Sequence, residues 1–176
     1  MSIEIEIHDR WPDGLSHIDA LYSDAFPEED LSPLVQALLR RSEDVVSFTA
    51  VSDGKTLGHA IFTLCSVVGQ VSDGRVALLG PVAIAGAFQS QGIGSALIRH
   101  GLHRLTVDGA DQVSVLGNPD YYGRFGFKAD DRIAPPYPLP EAWHAAWQTL
   151  RLQPDRPALC GVLSVPAPWR TASLWS

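Results

Sequence analysis

The chain has 176 residues, 45% of them hydrophobic and 19% charged, with a formal net charge of -7. That composition fits one soluble domain, 1–176, large enough to bury a core, and excludes a disordered chain. The negative balance argues against nucleic acid as a partner and favours a cationic small substrate.

The opening "MSIEIEIHDRW" alternates apolar with polar residues, the pattern of a strand rather than a signal peptide. No apolar run approaches the roughly 18 residues that span a bilayer, so no membrane partner is expected and the expected compartment is the cytoplasm. Cys65 and Cys160 lie far apart with no CxxC and no nearby histidine spacing. They read as reduced thiols, and no metal is expected.

In chain order, Ser2–His8 reads as a strand with Ile3, Ile5 and Ile7 on one face. Ser16 is placed to cap a helix running to about Phe26, which Pro27 stops. "LSPLVQALLRRS" predicts a second helix, with Ser32 as N-cap and Pro33 in the first helical position. Val45–Val51 and Leu57–Cys65 flank Ser52-Asp53-Gly54-Lys55, and the Asp-Gly pair predicts a hairpin. Val76–Ala85 is almost entirely apolar and predicts a strand buried on both faces. A long helix over about Gln91–Asp108 and a short strand over Gln112–Leu116 follow. After residue 130 come eight of the 13 prolines and four of the five tryptophans. About 45 residues are too few for a second stable domain, so two strands, near Ala145–Leu152 and Ala158–Val165, are expected to complete the same sheet.

The join between the buried strand and the long helix, "AIAGAFQSQGIGSALIRHGL", puts glycines at a helix entrance. On a helical wheel Ile93, Leu97, Ile98, Leu102 and Leu105 share one half with Gly94 and Gly101, so close packing on a sheet accounts for those two glycines. Gly92 sits at the mouth, outside a strong seam. The first N–H groups of a helix have no internal partner and carry partial positive charge, so a bare entrance is also suited to an anion. A Walker loop needs Gly-Lys-Ser/Thr, and no lysine follows Gly94; a dinucleotide fingerprint needs a third glycine where Leu97 stands. What remains is Gln89-Ser90-Gln91-Gly92-Ile93-Gly94, a Q-x-x-G-x-G after a buried strand.

This stretch resembles the pyrophosphate loop of the GCN5-related N-acetyltransferases. A second match lies downstream in "VLGNPDYYGRFGFKAD", where Tyr122 stands four residues before Gly126-Phe127. "YYGRFGF" and "LGPVAI" are similar to the bacterial YhbS-like branch of that family. The resemblance is strongest from Val76 to Phe127. It implies an α/β (α+β) single domain whose mixed, mostly antiparallel sheet of about seven strands is flanked by helices and splayed at strands 4 and 5. It also implies acetyl-CoA as cosubstrate, held by Gln89, Ser90, Gln91, Gly92, Ile93, Gly94 and Ser95. Pro81 cannot donate to a ladder, so a bulge or a parted neighbour is expected after Gly80. In the family the acyl-pantetheine arm lies in that gap, where Val82, Ala83 and Ile84 would pair with it.

By the same resemblance Tyr122 is the proton donor to the departing thiolate, while Tyr121, Phe125 and Phe127 are read as packing residues and Arg124 as neutralising local charge. Relatives often carry an asparagine where Val115 stands; Asn118 is the nearby substitute for a coenzyme A contact. No acid occurs in Val76–Ala85, so the base is left to water or an unidentified group, and His59 reads as structural. Phe26, Glu28, Glu29 and Trp169 are expected to wall the acceptor pocket. The reading is transfer of an acetyl group from acetyl-CoA to a primary amine of a small molecule or peptide, by a monomer or homodimer. The rival is a coenzyme A-binding regulatory module without transferase activity, with the Pro/Trp-rich end as a partner surface.

Overall fold

Strand β1 (Glu6–Asp9) pairs antiparallel with β2 (Val45–Ser52), in a register running from Glu6↔Val51 to Asp9↔Phe48. The computed structural model describes residues 4–10, 17–69 and 73–176; Ser2, Ile3 and the expected cap Ser16 lie outside them. Between β2 and β3 (Lys55–Val68) the chain turns on Asp53 at φ 49° and Gly54 at φ 71°. Two left-handed residues in a two-residue loop are what a type I′ hairpin requires.

The described residues form two compact units, one of residues up to Phe62 with Pro81–Gly101, the other Thr63–Gly80 with Leu102–Ser176. The first holds β1, β2 and two helices, α1 (Ile18–Ala25) and α2 (Ser32–Leu39), with the beginning of α3 (Ile93–Val107). Its core includes Ile18, Val35, Leu38, Phe48, Phe62, Leu97 and Ile98, all fully buried. α2 departs from its expected start: Leu31 is the N-cap, in helical geometry, and Ser32 is already helical. The acceptor at this end is Asp30, whose Oδ1 takes the Ser32 N–H at 3.1 Å, so the cap comes from the acidic turn rather than from Ser32.

The second unit holds the parallel pairing of β4 (Val76–Ile84) with β5 (Gln112–Leu116). Antiparallel to β5 runs β8 (Trp147–Arg151), which also carries the two-residue β6 (Lys128–Ala129). β9 (Gly161–Ser164) pairs with the far end of β3 and with β7 (Ile133–Ala134). Strand order is β1-β2-β3-β4-β5-β8-β6, with β9 and β7 attached at β3. Among the described residues the sheet is mixed and mostly antiparallel, as expected, with nine strands rather than about seven. The two extra strands are two residues each, too short to leave a periodic signal.

The Pro/Trp-rich end is core. Trp175 is 2% exposed and Trp147 3%, with ring centroids 6.0 Å apart, and Trp169 stands 6.0 Å from Trp175. Each indole N–H has an internal acceptor: Trp147 donates to Ile133 O at 2.7 Å, Trp169 to Thr63 Oγ1 at 3.0 Å and Trp175 to Trp169 O at 3.1 Å. Trp169 is therefore a packed core residue and not an exposed pocket wall. These rings each bury large apolar areas with the polar edge satisfied, which disposes of the expected partner surface for three of the four C-terminal tryptophans.

Candidate functional site

In the first unit the site begins on β4. The β4–β5 register ends at Leu79↔Val115; Gly80 follows at φ 140°, then Pro81, which has no N–H. Val82 and Ile84 are half-buried and Ala83 is fully buried. The Ala85 N–H donates to Leu57 O at 2.9 Å, keeping this end of β4 on β3.

The loop from Ala85 to Gln91 is braced at several points. Gly86–Phe88 forms a 3-10 turn, closed by Phe88 N–H on Ala85 O at 2.8 Å. Gln89 Nε2 donates to Ile84 O at 3.2 Å, and Gln91 Nε2 donates to Ala87 O at 3.1 Å. The Asp24 carboxylate, on α1, accepts the Gly86 N–H at 2.7 Å. The two glutamine side chains thus hold the loop's own carbonyls.

The loop then adopts two left-handed residues, Ser90 at φ 61° and Gly92 at φ 85°. Such alternation turns successive N–H groups toward one side, the geometry of an anion-binding nest. Gly92 O accepts the Ala96 N–H at 3.0 Å, the first bond of α3. The N–H groups of Ile93, Gly94 and Ser95 consequently have no intrahelical acceptor, at the positive end of a 15-residue helix. A Cβ built on Gly92 meets nothing within 4 Å, so the approach is open. The two reasons for glycine separate cleanly here. Gly101 is a packing glycine, since a Cβ there would lie 2.1 Å from the Phe62 ring. Gly92 is conformational, and it stands in open space.

Also in this unit, the turn after α1 presents Phe26, half-buried and stacked 6.1 Å from Tyr22, with Glu28 and Glu29 exposed. The turn is closed by Glu29 N–H on Phe26 O at 3.2 Å. Beneath it the Tyr22 hydroxyl and His59 Nδ1 share a hydrogen bond of 3.0 Å. Burial lowers the His59 pKa to about 3, so the ring is neutral near pH 7, and burial raises that of Tyr22. The His59 ring is packed wholly inside the core.

In the second unit, Tyr122 ends the short helix α4 (Pro119–Tyr122). Asn118 is its N-cap: Oδ1 accepts from Asp120 N–H at 2.8 Å, and its carbonyl accepts from Tyr122 N–H at 3.0 Å. The side-chain oxygen of Asn118 thus makes a cap that sets the direction of Tyr122. The Tyr122 ring lies directly over Gly117, where a Cβ would come within 2.3 Å of it. Gly117 is itself pinned, its N–H on Ala146 O at 3.0 Å and its carbonyl held by buried Gln148 at 3.1 Å. Phe127, 2% exposed, backs the ring at 5.9 Å. Tyr121 packs edge-on to Tyr122 at 5.0 Å and to Phe125 at 5.6 Å. Arg124 lies over the Tyr121 ring at 4.6 Å, a cation–π contact. Burial, and secondarily Tyr121, raise the Tyr122 hydroxyl above the usual phenol range. It is held protonated.

Two positions did not stand out in the sequence, Asp24 and Gly117, and Ser90 was placed in the loop without its left-handed backbone being foreseen. Gly117 had a readable signal, a glycine just before Asn-Pro at a strand end. Asp24 had none, since its partner is 62 residues away. Among the described residues no group of three or more His, Cys, Asp or Glu is placed to hold a metal, and no helix is long and apolar enough to cross a membrane.

A phosphate-type loop opening a long helix after a parted parallel pair, together with an aromatic-backed tyrosine after the next strand, defines an acyltransferase-like architecture. A family model described as the acetyltransferase (GNAT) family matches residues 15–127, and the chain belongs to that family. It is 33% identical over 164 residues to the uncharacterized N-acetyltransferase YjhQ of Escherichia coli K12, covering 90% of this chain and 91% of that one. Its fold is similar to that of the E. coli GNAT family N-acetyltransferase YhbS solved with CoA, at a TM-score of 0.84 and 26% identity over 97% of this chain and 94% of that one. A GNAT family acetyltransferase from Brucella melitensis, solved with acetyl-CoA, is 30% identical with a TM-score of 0.75, over 94% of this chain and 98% of that one.

Proposed function

We propose that this chain transfers the acetyl group of acetyl-CoA to a primary amine by direct attack, without an acyl-enzyme. The observation that carries the reading is the entrance of α3, where Ser90 and Gly92 are left-handed and open N–H groups follow. That cradle fits a pyrophosphate. Ile93, Gly94 and Ser95, with the backbone of Gln89, Ser90, Gln91 and Gly92, would hold it, and Val82, Ala83 and Ile84 would pair with the arm. Bound acetyl-CoA supplies the activated acetyl thioester.

The chain's own part is to bind, orient and move one proton. Tyr122, kept protonated by burial, is suited to give its proton to the leaving sulfur and unsuited to serve as a base. The acceptor amine loses its proton through water or to a base not identified among the residues. Phe26, Glu28 and Glu29 support an acceptor with an apolar body and a positive charge before attack. Both cysteines are thiols, Cys160 exposed and Cys65 half-buried, and neither is given a nucleophilic role.

The test is calorimetric titration with acetyl-CoA, followed by thiol release in the presence of an amine and peptide library. Micromolar binding with acceptor-dependent release is expected. Absence of binding overturns the reading, and tight binding with no release across the library assigns a coenzyme A-binding module instead.

A further inference from the structure

A cleft of about 1100 Å³ lies in the second unit, and the residues that line it include neither Tyr122 nor Asn118. Its floor is one face of β8 and β6: Trp147, Thr149 and Arg151 alternate along β8, and Lys128 stands opposite Thr149 in the register. Its far wall is the stiff segment holding Pro138 and Leu139.

The lining carries three permanent cations, Lys128, Arg132 and Arg151, against two carboxylates, Asp130 and Asp131. Both carboxylates act on Arg132. Asp130 accepts from its Nε at 3.0 Å and from its Nη2 at 2.6 Å, and Asp131 adds a longer-range attraction. Arg151 gives its guanidinium to the backbone carbonyls of Pro154 and Arg156, which carry no counter-charge. Lys128 has no carboxylate partner among the described residues. Two uncompensated cations thus flank an apolar cleft in a chain whose net charge is -7.

We propose that this cleft is a second ligand site, for a small amphiphilic anion. The apolar body lies along Pro135 and Leu139, which are half-buried, and the anionic head reaches Lys128 and Arg151, where charge-assisted hydrogen bonds hold it. No residue of the Gln89–Ser95 loop lines the cleft.

The probe is 8-anilinonaphthalene-1-sulfonate, titrated into the full chain and followed by its fluorescence. Saturable one-site binding is expected, weakened roughly fivefold or more in Lys128→Gln by loss of one charge-assisted contact and restored in Lys128→Arg. Octanoate or octyl phosphate displaces the probe, and whichever does so at the lower concentration identifies the head group as carboxylate or phosphate. Octanol, with the same chain and no charge, leaves it bound. Wild-type affinity in Lys128→Gln, with its thermal midpoint unchanged, overturns the proposal. So does displacement by octanol as effective as by octanoate. A parallel acetyl-CoA titration of Lys128→Gln is expected to match wild type; failure of both chains there removes the acetyltransferase reading and leaves the cleft result standing.

Discussion

The Asp24 carboxylate accepts the Gly86 backbone N–H at 2.7 Å, tying helix α1 to the loop that opens α3. The loop's other braces arise from the loop itself, from the end of β4 or from β3; this one comes from the helix that leads into the Phe26–Glu29 turn. A carboxylate would repel a nearby phosphate, so its value lies in geometry rather than charge.

Removing the acceptor should therefore loosen the loop. Asp24→Ala is expected to weaken acetyl-CoA binding about three- to tenfold, the range of one typical intramolecular hydrogen bond. Asp24→Asn keeps an acceptor oxygen and is expected to bind within about twofold of wild type. The discriminating measurement is amide exchange at Gly86 in the ligand-free protein, fast in the alanine variant and slow in the other two. Equal exchange in all three would mean that the contact holds nothing.

Gly92 offers a sharper probe of the nest. A helix entrance in ordinary geometry tolerates valine at about 0.5 kcal/mol, and on the sequence alone Gly92→Val reads as a pure block of the anion's path. The φ of 85° changes that expectation. A β-branched residue there is strained by about 1–2 kcal/mol, so Gly92→Val should lose both stability and binding. Asparagine tolerates the left-handed region and projects into the same open space. Gly92→Asn should melt near wild type yet bind acetyl-CoA at least tenfold more weakly. An early-melting Gly92→Asn with intact affinity would leave the glycine a purely conformational role.

For Tyr122 the expectation concerns turnover. Tyr122→Phe keeps the ring on Gly117 and against Phe127 while removing the hydroxyl. Acetyl-CoA affinity should hold and turnover should fall roughly 10²-fold, the usual worth of a positioned acid. Because the phenol is raised above its ordinary range, wild-type activity should show no alkaline limb from Tyr122 up to pH 10. Unchanged turnover in the variant would pass the acid role to water.

The strand β4, helix α3 and the left turn between β2 and β3 were legible because each carries a local signal: an unbroken apolar run, a 3.6-residue stripe and an Asp-Gly pair. Gly92 was legible as an oddity, but Ser90 was not, since serine gives no hint of a φ of 61°. Trp169 was misplaced for a different reason. A Pro/Trp-rich segment has no period, and the burial of Trp169 rests on Thr63 and Trp175, contacts set by the whole fold. The α2 cap went to Asp30 because helix entry depends on the backbone of Leu31, which the Ser-Pro pair does not disclose.

His59 makes a last prediction, on acid stability. Its folded pKa is lowered by burial to about 3, against 6.5 for an unperturbed histidine. Above pH 6.5 both folded and unfolded chains carry the neutral ring, and the residue adds no pH dependence. Below 6.5 the unfolded chain takes up a proton that the folded chain refuses until about pH 3. The unfolded state binds more protons in that window, so stability falls as pH falls. The slope approaches about 1.4 kcal/mol per pH unit once the unfolded ring is mostly protonated. Urea unfolding of wild type and His59→Gln at pH 7.5, 6.5, 5.5 and 5.0 isolates this contribution, since the carboxylates are common to both chains. The variant starts less stable at pH 7.5, because the Tyr22 contact is altered, but its stability should decline more slowly below pH 6.5. The two curves should converge by about 1–2 kcal/mol at pH 5. Parallel curves would mean that the buried imidazole takes up its proton in the folded chain at an ordinary pKa.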